Sequence, residues 1–151
     1  MELKTIQTQH VPVRYFEGGT GPDLVYLHGA GGVTAEDPFL GALAASHHVY
    51  APLVPGYGDS EEAPEIRDML DFTLHTWDVV EALGLKDPIL VGHSMGGMIA
   101  AEMAAISAAI IPPIEWPTRI GSLRPSASTT SQVCKVKSSM SRISGASSLS
   151  P

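Results

Sequence analysis

Residues 90–98 read LVGHSMGGM. Ser94 stands between Gly92 and Gly96, with His93 and Met95 between them, directly after the apolar run PILV at 88–91. The run is short and unbroken, as in a strand buried on both faces. Residues 95–110 are rich in alanine and methionine and read as a central, mostly apolar helix. A serine on so sharp a strand-to-helix turn is lifted above the sheet edge. Small residues on either side let strand and helix pass close to one another. The free N–H groups of the helix start favour negative charge developing beside them. Ser94 is therefore the candidate nucleophile, with His93 as a neighbour that orients the turn. A turn that merely contains a serine is the plainer alternative, and the strand–turn–helix context weighs against it.

Two further glycine-rich stretches lie upstream. DLVYL at 23–27 reads as a buried strand and is followed by HGAGG at 28–32. Glycines there let the backbone turn its N–H groups outward. One of them, from Ala30 or Gly31, can pair with the N–H of Met95 to hold a tetrahedral oxyanion. Gly29 and Gly31 support that loop, and His28 reads as a histidine bracing it rather than as a base. HVYAPL at 48–53 is another short strand, followed by the loop PGYGDSEEAP at 55–64. Alone, that loop is only a turn. It lacks GK[ST] and G-x-G-x-x-G, so neither a phosphate loop nor a dinucleotide site is indicated.

The remaining pattern fills in an α/β order. Residues 3–17 alternate weakly and read as two strands turning near His10, Val11 and Pro12, which suggests an antiparallel edge. A short helix is expected over 38–46, with Pro38 in its first turn. From 65 to 83 the period becomes helical, with Ile66, Met69, Leu70, Leu74, Trp77 and Val80 three or four apart and Gly84 as the stop. Strands alternating with helices imply a mostly parallel sheet with helices on both faces.

Composition narrows the partners. The formal net charge of -7 argues against nucleic acid or an anionic membrane surface. The single cysteine, Cys134, excludes an internal disulfide and a cysteine-based metal site. No cofactor or metal is expected. The polar start MELKTIQTQH lacks an apolar signal core, so a cytoplasmic location is expected. No apolar stretch reaches the roughly 20 residues of a membrane span.

Taken in order, DLVYLHGAGG, VYAPLVPGYGDS and PILVGHSMGGMIAAEMA resemble the α/β-hydrolase fold family over about residues 11–110. The likeness points to the group that holds esterases and carbon–carbon bond hydrolases. It implies Ser94 as nucleophile, with the backbone N–H groups of Ala30 and Met95 as the oxyanion hole. The substrate it implies is a small-molecule ester or a related acyl or carbon–carbon bond. Epoxide and haloalkane hydrolases of this family usually carry aspartate at the elbow, so Ser94 argues against those chemistries.

The family's order of nucleophile, acid and histidine is not met. No histidine follows Ser94, and Glu102 and Glu115 are the only acidic residues after it. Glu102, two turns into the same helix, is expected to point away from the serine. His10, His47, His48 and His75 have no reason to meet it. The chain thus reads as the N-terminal portion of such a hydrolase, truncated before its acid and base. A non-catalytic fragment that binds an acyl ligand or a protein partner is the alternative. An uncovered sheet edge is expected to favour self-association.

Two segments follow from composition. Residues 1–110 hold 4 basic and 15 acidic residues, whereas 111–151 hold 5 basic, 1 acidic and 11 serines. The second segment, a Ser/Pro-rich tail without period, reads as irregular or disordered. It also reads as an out-of-frame extension. With permitted codon choices, a one-base shift of the codons for WPTRIGS at 116–122 gives GRLALA, which resembles the xRLxLx type of strand that follows the elbow helix in the family.

Overall fold

A computed structural model of the chain describes residues 1–57, 60, 63, 66–110 and 131–135. The elements in order are β1 (Glu2–Gln7), β2 (Pro12–Gly18), β3 (Asp23–Leu27), α1 (Pro38–Ala44), β4 (His48–Pro52), α2 (Met69–Ala82), β5 (Ile89–His93), α3 (Met95–Ile110) and β6 (Ser131–Lys135). They form one sheet in the order β1-β2-β4-β3-β5-β6. Its centre, β4-β3-β5, is parallel. The hairpin β1-β2 joins β4 antiparallel, which is the antiparallel edge expected from the sequence.

The strands' apolar runs follow from burial on both faces. Along β3, Leu24 and Tyr26 face one side and pack with Leu40 of α1 and Val91 of β5. Val25 and Leu27 face the other side and pack with Leu90 and with Ile99, Ala100 and Met103 of α3. Neighbouring residues thus serve opposite cores, as the period of two requires. At about 25 cal/mol per Å² of apolar surface removed from water, these two layers dominate the stability of the fold.

Helix α2 departs from its apolar pattern. Leu70 and Leu74, both in the periodic set, are 46% and 50% exposed, while Thr73 and Thr76 are buried. The threonines tolerate burial because their hydroxyls are satisfied. Thr76 Oγ1 donates to the Phe72 carbonyl at 2.8 Å, and Thr73 Oγ1 lies 2.9 Å from the Met69 carbonyl and 2.8 Å from Glu102 Oε2 of α3. The helix starts at Met69, later than expected, because Asp68 caps it by accepting from the Asp71 N–H at 3.0 Å. It stops at Gly84, whose φ of 68° only glycine adopts freely.

The tail contributes one described element. β6 pairs antiparallel with β5 along its outer edge, from Ile89↔Lys135 to His93↔Ser131. The outer side of β5 is therefore paired, and β6 stands as the edge strand on that side of the sheet. The rest of 111–151, including Glu115 and WPTRIGS, lies outside the described residues. Among the described residues no helix is long and apolar enough to cross a membrane, and no cluster of His, Cys, Asp or Glu is arranged to hold a metal ion.

Candidate active site

β3 lies between β4 and β5, so the connections leaving it and returning past it run in opposite directions. Such a switch in strand order opens a crevice at the carboxyl ends of the strands. Three loops meet that crevice: residues 28–32 after β3, residues 53–57 after β4, and the turn at Ser94 after β5. These are the three stretches singled out in the sequence.

The turn after β5 is strained. Ser94 has φ 54°, one of two non-glycine residues with positive φ among those described, and its side chain is exposed. That conformation costs about 1–3 kcal/mol and persists only where the surroundings enforce it. Gly92 and Gly96 do so. A Cβ on Gly92 would overlap the Gly96 carbonyl, and one on Gly96 would overlap the Leu27 carbonyl and lie 2.8 Å from that of His28. Strand, turn and helix are packed backbone to backbone, as read from the sequence. The Ser94 carbonyl starts α3, accepting from Gly97 at 2.9 Å and Met98 at 3.2 Å. The Met95 N–H has no backbone partner among the described residues.

The loop after β3 is pressed against this turn. A Cβ on Gly29 would lie 3.1 Å from Ser94 Cβ and 2.9 Å from His93 Nδ1. Ala30 and Gly31 are exposed, and a Cβ on Gly31 would meet open space. The N–H groups of Ala30 and Gly31 also lack a backbone partner among the described residues. His28 sits beneath them, fully buried. Its Nε2 accepts from the Val54 N–H at 3.0 Å and its Nδ1 lies 2.7 Å from the Gly29 carbonyl. An imidazole that accepts at one nitrogen and meets a carbonyl at the other is neutral, with its proton on Nδ1. Burial pushes it below its ordinary value of 6.5, only partly offset by the Gly29 bond. Both ring nitrogens of His28 thus have partners.

Sequence reasoning passed over Tyr57. Its ring meets the His28 ring edge-on at 5.5 Å, and its hydroxyl lies 3.9 Å from Met95 Sδ. The loop after β4 therefore touches both the loop at 28–32 and the residue after Ser94. The signal was an aromatic residue between two glycines in PGYGDS, whose Gly58 and Asp59 lie outside the described residues.

Four other histidines and Glu102 have contacts of their own. His10 pairs with Asp78 at 3.3 Å, His47 with Ser46 at 2.9 Å and His48 with Glu17 at 2.9 Å, while His75 is buried on α2. Glu102 turns to Thr73 and not to Ser94, as expected. His93 is exposed at the end of β5 beside Gly29.

A sequence model of the alpha/beta hydrolase family matches residues 24–137. The chain belongs to that family. It is 32% identical over 106 residues to an (E)-2-((N-methylformamido)methylene)succinate hydrolase of Acinetobacter baylyi, covering 69% of this chain and 38% of the relative. It is 37% identical over 93 residues to a 2-hydroxymuconate semialdehyde hydrolase of a Pseudomonas species, covering 58% and 33%. Among solved structures, a bacterial membrane phospholipase A superposes with a TM-score of 0.62 at 32% identity, covering 69% of this chain and 35% of that one. The chain thus spans roughly a third of the length of these relatives.

Proposed function

We propose that the chain carries the nucleophile and oxyanion half of a serine hydrolase acting on a small-molecule ester or a related acyl or carbon–carbon bond. Ser94 Oγ adds to the carbonyl carbon, its proton passing to solvent water, and the backbone N–H groups of Ala30 and Met95 hold the oxyanion. The leaving group departs with a proton taken back from water, and a second water then hydrolyses the acyl-serine, restoring the Ser94 hydroxyl and releasing the acid. Gly29, Gly31, His28 and His93 keep the two donor loops in place. The reading rests above all on the contact of Gly29 with Ser94 in a crevice where the N–H groups of Ala30 and Met95 lack backbone partners. The named activities of the relatives, a hydrolase in each of the two curated cases, agree with it.

The general base is not part of this half. The sequence has no histidine after Ser94, and His28 is occupied at both nitrogens. Activity is therefore expected at the level left by an oxyanion hole without a triad, about 10³–10⁴-fold over water. The same observation favours a second reading, a non-catalytic fragment that binds a small acyl ligand in the crevice or docks a protein partner. Turnover of a short-chain p-nitrophenyl ester, compared with Ser94→Ala, separates the two. The serine reading predicts a slow hydrolysis that Ser94→Ala abolishes, and equal turnover in both proteins removes it.

A further inference from the structure

The Gly29–Ala30 peptide carries the donor that this reading assigns to the oxyanion, and one buried side chain meets its carbonyl. No cis peptide occurs among the described residues, so the Ala30 N–H points opposite to the Gly29 carbonyl. That carbonyl is held from two directions, by His28 Nδ1 at 2.7 Å and by the Gly32 N–H at 3.0 Å. The His28 ring is fixed in turn by the Val54 N–H on Nε2 and by the edge-on contact of Tyr57. Gly29 offers no side chain to resist a peptide flip, so the setting depends on these bonds.

We propose that His28 is a positioning residue that directs the Ala30 N–H into the crevice through its neutral Nδ1–H tautomer, and that protonation of Nε2 releases this setting. The proposal rests on the oxyanion assignment above for its consequence and on the His28 geometry for its mechanism. A proton on Nε2 would face the Val54 N–H, donor against donor, inside a fully buried site. The ring must then turn, and its turning removes the Nδ1–H from the Gly29 carbonyl. Among the described residues, the titratable groups placed beside the ring are Tyr57, across its edge, and His93, beside Gly29. Among the described residues no carboxylate contacts His28 to stabilise an imidazolium. Burial lowers its affinity for a proton, so the neutral clamp holds at neutral pH and opens on acidification. Acid then weakens the oxyanion site independently of any catalytic base.

The test is nuclear magnetic resonance of the ¹⁵N-labelled full chain, following histidine ring nitrogens and backbone amides from pH 7.5 down to pH 5. The expected result is a protonated Nδ1 and a bare Nε2 on His28 at pH 7.5. Acidification should then shift the Ala30 and Val54 amides in step with that ring. An Nε2–H tautomer, or an Ala30 amide that stays in place while His28 titrates, overturns the proposal. His28→Asn keeps a donor near the Nδ1 position and should preserve the Ala30 amide shift, whereas His28→Gln reaches only the Nε2 position and should lose it. The reverse order overturns the proposal. The readout is an amide and not the reactivity of Ser94, so it decides the clamp even if Ser94 proves inert, and the wild-type titration stands if a variant does not fold.

Discussion

Gly96→Ala tests the packing that makes the elbow. The new Cβ would overlap the Leu27 carbonyl and stand 2.8 Å from the His28 carbonyl oxygen. Both neighbours are backbone, at the end of the central strand β3, so neither can swing aside as a flexible side chain would. Inserting one carbon into a packed interior costs about 1–3 kcal/mol, and the upper end applies where backbone must move. With a urea slope of about 2 kcal/mol per M, a loss of about 3 kcal/mol lowers the unfolding midpoint by about 1.5 M. Gly31→Ala is the matched control, since its Cβ meets open space and Gly31 has no positive φ. That change should be neutral or stabilise by up to about 1 kcal/mol, because alanine restricts the unfolded chain. The assay is urea unfolding followed by circular dichroism on all three proteins. Equal midpoints for Gly96→Ala and wild type would refute the close packing of α3 on β3.

Three further outcomes follow from the same geometry. Ser94→Gly removes the strain of an L residue at φ 54°, worth about 1–2 kcal/mol, against glycine's extra chain entropy of about 0.5–1 kcal/mol. Thermal unfolding should show stability unchanged or slightly raised, and a loss above about 1 kcal/mol would contradict the strained turn. His28 and Glu17 both have folded-state pKa values below their ordinary 6.5 and 4.5. For Glu17, burial opposes the shift, and its bonds to Lys4, His48 and Tyr15 outweigh it. The stability each confers is complete above its ordinary value and is lost as pH falls through the folded value. Urea midpoints should therefore fall from about pH 6.5 downward and fall again below about pH 4.5, with His28→Asn removing the first step; a flat profile from pH 7.5 to 4 refutes both assignments. Finally, if the tail is an out-of-frame extension, the DNA after codon 110 should encode further strands and a histidine in one of the other two frames. Their absence from both frames ends that proposal.

Much of the fold was legible because burial on both faces writes itself as unbroken apolar runs. DLVYL coincides with β3, and PILV lies within two residues of the bounds of β5. The elbow was legible because backbone contact admits only glycine, as at Gly92 and Gly96. Helix α2 was less so. Periodicity counts leucines, and it cannot register that Thr73 and Thr76 bury well once their hydroxyls are bonded. The contact of Tyr57 with His28 and Met95 joins residues up to 38 apart in sequence, and no local pattern reports such a meeting. The strand β6 was hidden by its serine-rich surroundings, since pairing with β5 is a tertiary event.

If Ser94 is the reactive group of the crevice, a fluorophosphonate added to the full chain should modify it, and peptide mass spectrometry maps the adduct. The expected result is a single modification on Ser94, absent in Ser94→Ala and in Gly96→Ala. Unlabelled Ser94, or the same labelling in Ser94→Ala, would contradict it.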